Sequence, residues 1–237
     1  MVPVGQTIDR QKGNMHRQKG FTLIELLIVV AIIAIIASIA IPNLLSARLA
    51  SNETAAISTL RTITSAQAQF QNTSRADENN NGIGEYGTLA EMSGEVGVRG
   101  GSPVVPPMLS GAFRNVNGQG QVSKSGYLYS IWMPDANGAG VDEVAGGGAD
   151  ATVDADYAET SWTAYAHPVA VGKTGNRTFF VNQSGDMLST DATEDSYNGT
   201  TDGPAGEAAY LPSAITITGP VAVGATGQDG NFWKSVG

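Results

Sequence analysis

An apolar run from residue 21 to residue 41 constrains this chain more than any other feature. In FTLIELLIVVAIIAIIASIAI only Thr22, Glu25 and Ser38 are polar. A helix rises about 1.5 Å per residue, so ~20 such residues cross the hydrocarbon core of a bilayer. Arg10, Lys12, Arg17 and Lys19 precede the run, against the single acid Asp9, while the whole chain carries a net charge of -9. The positive-inside rule then puts the N-terminus in the cytoplasm and the acidic body outside it. A cleaved secretory signal and a plain anchor compete with this reading. The run exceeds the ~7–15 apolar residues of a signal peptide, and neither alternative explains an ionisable group such as Glu25 in a membrane segment.

Composition excludes several function classes for the body. The chain has no cysteine, so it has neither a disulfide framework nor a thiolate metal site. His16 and His167 are its two histidines; the first lies among the basic N-terminal residues and the second reads as an ordinary strand residue, which disfavours His-based catalysis. With 22 acidic against 13 basic residues, the body is not expected to bind nucleic acid, which needs Lys/Arg clusters. The stretch GAGVDEVAGGG is no phosphate loop, because no Lys-Ser/Thr follows it. Its Asp142 and Glu143 read as solvated loop charge. No enzyme is expected.

Beyond Pro42 the helical pattern continues. Leu49, Glu53, Ala56, Leu60, Ile63, Gln67 and Phe70 recur at alternating spacings of four and three, the stripe of an amphipathic helix over 43–72. Together the two halves predict a helix of roughly 50 residues, about 75 Å if continuous. Residues 73–125 read as loop, with a short helical turn near 88–92. Strand signals then occur near 126–134, 161–170, 177–183 and 186–190, separated by Gly/Asp/Asn turns. They predict an antiparallel meander whose aromatic residues pack on the amphipathic helix. From residue 191 the tail is rich in Gly and Thr, with one weak strand at 214–218, and either caps the sheet or stays mobile.

Gly20-Phe21-Thr22-Leu23-Ile24-Glu25, followed by the apolar run and Pro42, resembles the class III signal of type IV pilins and type II secretion pseudopilins. The resemblance covers residue 17 to about residue 70. It implies an α+β, pilin-like fold: a leader at 1–20, a transmembrane and filament-core helix at 21–42, an amphipathic helix at 43–72, and a head at 73–237 with an antiparallel sheet. It further implies that a prepilin peptidase cuts between Gly20 and Phe21 and methylates the new amine of Phe21. Glu25 then pairs with that amine on an adjacent subunit, and Pro42 is a place for a kink. One departure is Ala34, where many relatives carry glycine. The implied function is a structural subunit of a helical homo-oligomeric filament, either a type II secretion pseudopilus in the periplasm or a type IV pilus at the cell surface. The implied partners are the prepilin peptidase, an inner-membrane assembly platform with its ATPase, and minor pilins or pseudopilins. A monomeric membrane-anchored binding domain is the reading from another class.

Two acidic loop groups are candidates for calcium. Asp77, Asn79 and Asn81 alternate ahead of Gly82, as in the first half of a calcium loop, but the twelfth position holds Thr88, leaving Glu85 as a non-standard substitute. A solvated Asn/Gly turn is the simpler reading of the same residues. Asp150, Asp154, Asp156 and Glu159 form the second group. They fit no spacing rule, and the resemblance to major pseudopilins implies calcium in such a loop.

Overall fold

The computed structural model describes residues 20–191, 197–213 and 216–236. The leader except Gly20, and the first two residues of the weak strand at 214–218, lie outside the described residues. By contacts the chain divides into two compact units, Met1–Leu44 and Leu45–Gly237.

Helix α1 (Leu23–Asn72) begins after Gly20, Phe21 and Thr22 and contains Pro42, which does not end it. Proline cannot donate an amide hydrogen bond to the carbonyl four residues back, here that of Ser38. In the first unit the large apolar side chains from Leu23 to Leu44 are all exposed. Among the described residues, α1 is the one helix long and apolar enough to cross a membrane. Even the polar Ser38 is matched to such a medium, because its hydroxyl donates to Ile35 O at 2.7 Å.

In the second unit α1 buries one stripe: Glu53, Ala56, Thr59, Leu60, Ile63, Ala66, Gln67 and Phe70. The helical periodicity of the sequence predicts six of these eight. The two polar members of that pattern have partners. Glu53 accepts from Asn176 N at 3.0 Å and pairs with Arg177 at 2.8 Å. Gln67 both donates to Gly87 O (2.7 Å) and accepts from Gly87 N (2.9 Å), copying a backbone pairing.

Among the described residues the sheet has eight strands: β1 (Gln121–Lys124), β2 (Tyr127–Pro134), β3 (Gly140–Asp142), β4 (Thr163–Pro168), β5 (Thr178–Asn182), β6 (Met187–Thr190), β7 (Ala225–Thr226) and β8 (Phe232–Ser235). Their order is β1-β2-β4-β5-β6-β8-β7, with β3 also paired to β2, and all pairs are antiparallel. Strands β2, β4, β5 and β6 fall where the sequence predicts strands. Strands β1, β3, β7 and β8 do not. Between β1 and β2, Ser125 (φ 51°) and Gly126 (φ 78°) make the two-residue turn with positive φ at both positions that a tight hairpin prefers.

The two faces of the sheet belong to separate cores. Tyr127, Tyr129, Ile131, Met133, Ala164, Ala166, Phe179 and Val181 pack with Leu60, Ile63 and Phe70 of α1. The alternate residues Tyr165, Phe180 and Leu188 point away, into a second core with Tyr210, Ile217 and Trp233. Here the expectation that the aromatics gather on the helix is corrected in part: Tyr127, Tyr129, Trp162 and Phe179 do, while Tyr165 and Phe180 are sealed from water by the tail. Residues 216–218 form a turn rather than the expected strand. Adjacent apolar residues such as Phe179-Phe180 mark a strand covered on both faces.

Candidate functional site

At the head of α1, Thr22 and Glu25 cap the helix reciprocally. Glu25 N donates to Thr22 Oγ1 at 3.2 Å, and the Glu25 carboxylate accepts from Thr22 N and from Thr22 Oγ1, each at 2.8 Å. This is a capping box, and its Thr-x-x-Glu spacing is visible in TLIE. The docking role implied by the resemblance omitted this local one. Glu25 therefore has donors within its own chain, which lowers the cost of carrying an acid at the edge of an apolar segment. Gly20 and Phe21 are exposed ahead of the cap, the Phe21 side chain at 90%, so the peptide bond between them is accessible.

The two acidic loop groups, some 75 residues apart in sequence, meet. Asn79 Nδ2 donates to Asp156 Oδ1 (2.7 Å) and Glu159 Oε1 (2.8 Å), and Asn81 Nδ2 donates to the same Glu159 oxygen (2.7 Å). Asp77 shapes the first loop, accepting from Asn81 N at 3.0 Å and Gly82 N at 3.2 Å. The remaining candidates lie elsewhere. Asp154 caps the short helix α3 (Ala155–Ala158) by accepting from Tyr157 N. Asp150 accepts from Thr152 N and Oγ1, and these bonds hold its carboxyl below the usual range. Glu85 is buried and turned toward Arg99, 3.2 Å away, and desolvation raises its carboxyl. Arg99 also pairs with Glu91 at 2.7 Å and Glu78 at 3.4 Å. Among the described residues no three His, Cys, Asp or Glu side chains are gathered as a metal site. The loop junction is a hydrogen-bonded clasp.

One residue differs from its solvated reading, Glu143, while His167 sits in a strand as expected. Asp142 is exposed, but Glu143 is 2% exposed. Its carboxylate accepts from Ala90 N (2.8 Å), Leu89 N (3.1 Å) and Gly148 N (3.0 Å), bridging the loop after β3 to the helix α2 (Leu89–Met92). Burial pushes its carboxyl up to about 7. Gly147 makes this approach possible, since its φ is +98° and a Cβ there would lie 2.3 Å from the Ala90 Cβ. His167 is an interior residue of β4, its Nε2 2.9 Å from Gly199 O.

An exposed apolar helix with a capped acid at its third position, followed by a second helical half seated on an antiparallel sheet, is the arrangement that the resemblance to type IV pilins implies. Comparison with known proteins agrees. A family model described as "Prokaryotic N-terminal methylation motif" matches residues 15–41. The type IV wide pilus major component PilA4 of Thermus thermophilus is 53% identical over 57 residues, which cover 24% of this chain and 44% of that protein. The type IV major pilin protein PilA of Myxococcus xanthus is 41% identical over 83 residues, 35% of this chain and 37% of that protein. The chain thus spans less than half the length of these curated relatives. No solved structure matches. Over residues 38–202, most of its length, the chain matches and belongs to the family described as "Protein of unknown function (DUF2950)".

Proposed function

We propose that this chain is a structural subunit of a type IV pilus-like helical filament. A prepilin peptidase cuts it between Gly20 and Phe21 and methylates the new amine, and an inner-membrane assembly platform with its ATPase draws it into the polymer. The observation that carries the proposal is the apolar half of α1, exposed on every side and opened by the capped Glu25. Lipid satisfies such a surface before assembly, and the same surface of neighbouring copies does so afterwards. Between pilus and pseudopilus the named relatives, both pilin components, favour the pilus and hence a cell-surface end state. Mass spectrometry of the protein's N-terminus tests the processing step: a chain starting at methylated Phe21 is expected, and an intact leader refutes it. Electron microscopy of sheared surface material against periplasmic fractions separates the two filaments.

A second reading concerns calcium at the clasp, favoured by the meeting of oxygen-bearing residues from two loops. Asp77, Asn79, Asn81, Asp156 and Glu159 are the residues that would hold the ion, with hard oxygen donors suited to it. A cation there would replace amide N–H groups as the partner of Asp156 and Glu159. Calorimetric titration of the full chain in detergent with calcium checks this. The absence of both binding heat and a rise in Tm at millimolar calcium would refute the reading.

A further inference from the structure

The tail covers the outer face of the sheet unevenly. Over β4, β5 and β6 it seals Tyr165, Phe180 and Leu188. Over β1, β2 and β3 it leaves a cleft of about 410 Å³, whose lining includes Gln121, Ser130, Trp132, Asp142, Thr200 and Thr201. Strand register explains the grouping. Gln121 stands opposite Ser130, and Trp132 opposite Asp142, so four chemically distinct side chains share one face. Residues of the tail close the other wall.

Two polar atoms of this lining are buried without a hydrogen-bond partner, Ser130 Oγ and Trp132 Nε1. Ser130 as a whole is only 4% exposed, and native proteins rarely leave such atoms unpaired. Beside them, His167 Nδ1 is also unpartnered, and Gly203 of the cleft wall lies over the same ring, a Cβ there being 3.1 Å from His167 Cε1. Trp132 is held from behind, since a Cβ at Gly206 would lie 3.2 Å from its Cδ2 and Cε3 atoms. The indole is therefore a fixed, partly exposed platform.

The chemistry of the lining selects a ligand. Among the described residues of the lining, Asp142 is the sole charged group and no Lys or Arg is present, so an anion has no counter-charge. The Thr200 and Thr201 hydroxyls and the Gln119 and Gln121 amides each both donate and accept, and the Asp142 carboxylate accepts. A compound matching this set carries many hydroxyls on an apolar carbon ring that can lie on the indole. The cleft volume is within the ~300–1,000 Å³ range of small-ligand sites. We propose that this cleft binds a neutral saccharide unit.

Saturation-transfer NMR of the full chain in a zwitterionic, sugar-free detergent tests the proposal, with glucose, galactose and N-acetylglucosamine as probes. Transfer to ring C–H protons of at least one probe is expected. Trp132→Leu should weaken binding about tenfold, the size of a lost aromatic contact. Thr201→Arg changes an exposed residue, so it should abolish transfer while leaving the melting temperature unchanged, which keeps the test decisive if the tryptophan variant folds poorly. Absence of transfer to all three sugars at millimolar concentration, or undiminished transfer in the Thr201→Arg chain, overturns the proposal.

Discussion

Glu25 shows how one residue type can serve two roles. Its carboxylate caps α1 through Thr22, and in the proposed filament it also meets the amine of Phe21 on a neighbour. The two roles separate by substitution. Glutamine also completes a capping box, so Glu25→Gln keeps the helix start and removes the charge, whereas Glu25→Ala removes both. Both variants are expected to be inserted and cleaved yet to give little sheared filament. Normal filament yield from Glu25→Gln would reduce the residue to a cap. Glu143 makes the second residue-scale prediction. Its folded carboxyl is raised to about 7 by burial, so the folded state holds a proton that the unfolded chain releases near the ordinary carboxylate value. The stability it contributes is complete below that value and falls as pH rises toward 7, by roughly 3 kcal/mol. Denaturant melts at intervals between pH 4.5 and 7.5 should therefore show a steeper decline for the native chain than for Glu143→Gln. Parallel curves would contradict this.

At the scale of elements, long periodic segments were legible and short ones were not. The stripe on α1 is read from the alternation of four and three residues, because only one helix face meets the sheet. Phe70 closes that stripe fully buried and lies against Gly87, where a Cβ would be 2.8 Å from its ring. Phe70→Ala should cost about 3–5 kcal/mol of head stability, measurable by thermal or denaturant unfolding, since the backbone at Gly87 has no side chain to fill the gap. Strand β1 escaped notice because Val122 is its one apolar residue, although the Ser125-Gly126 turn is a hairpin signal. The turn near 88–92 exists as α2 because Thr88 and Glu91 cap it reciprocally. The loop candidates divided by environment: Asp77, Asn79, Asn81 and Asp156 share the clasp with Glu159, while spacing alone could not show that Glu85 would turn inward to Arg99.

At the scale of the whole molecule, the tail is part of the core. It contributes Tyr210, Ile217 and Trp233 to the face of the sheet opposite α1, including an edge-to-face contact between Phe180 and Tyr210 with centroids 5.6 Å apart. Deleting residues 197–237 should expose Tyr165, Phe180 and Leu188 and give a chain that aggregates or is rapidly degraded in limited proteolysis. A protease-resistant truncated head would show the tail to be dispensable. The sequence by itself determined the N-terminal motif, the apolar and amphipathic halves of α1 and strands β2, β4, β5 and β6, because each is a local pattern of charge, periodicity or apolar residues between turns. The tertiary structure alone decided that the tail makes a second core, that Glu143 is a buried strut, that two distant loops share a clasp, and that β1 to β3 leave a cleft. Each of those depends on which surfaces meet after folding, and contacts across 50 or more residues leave no periodic trace in the chain.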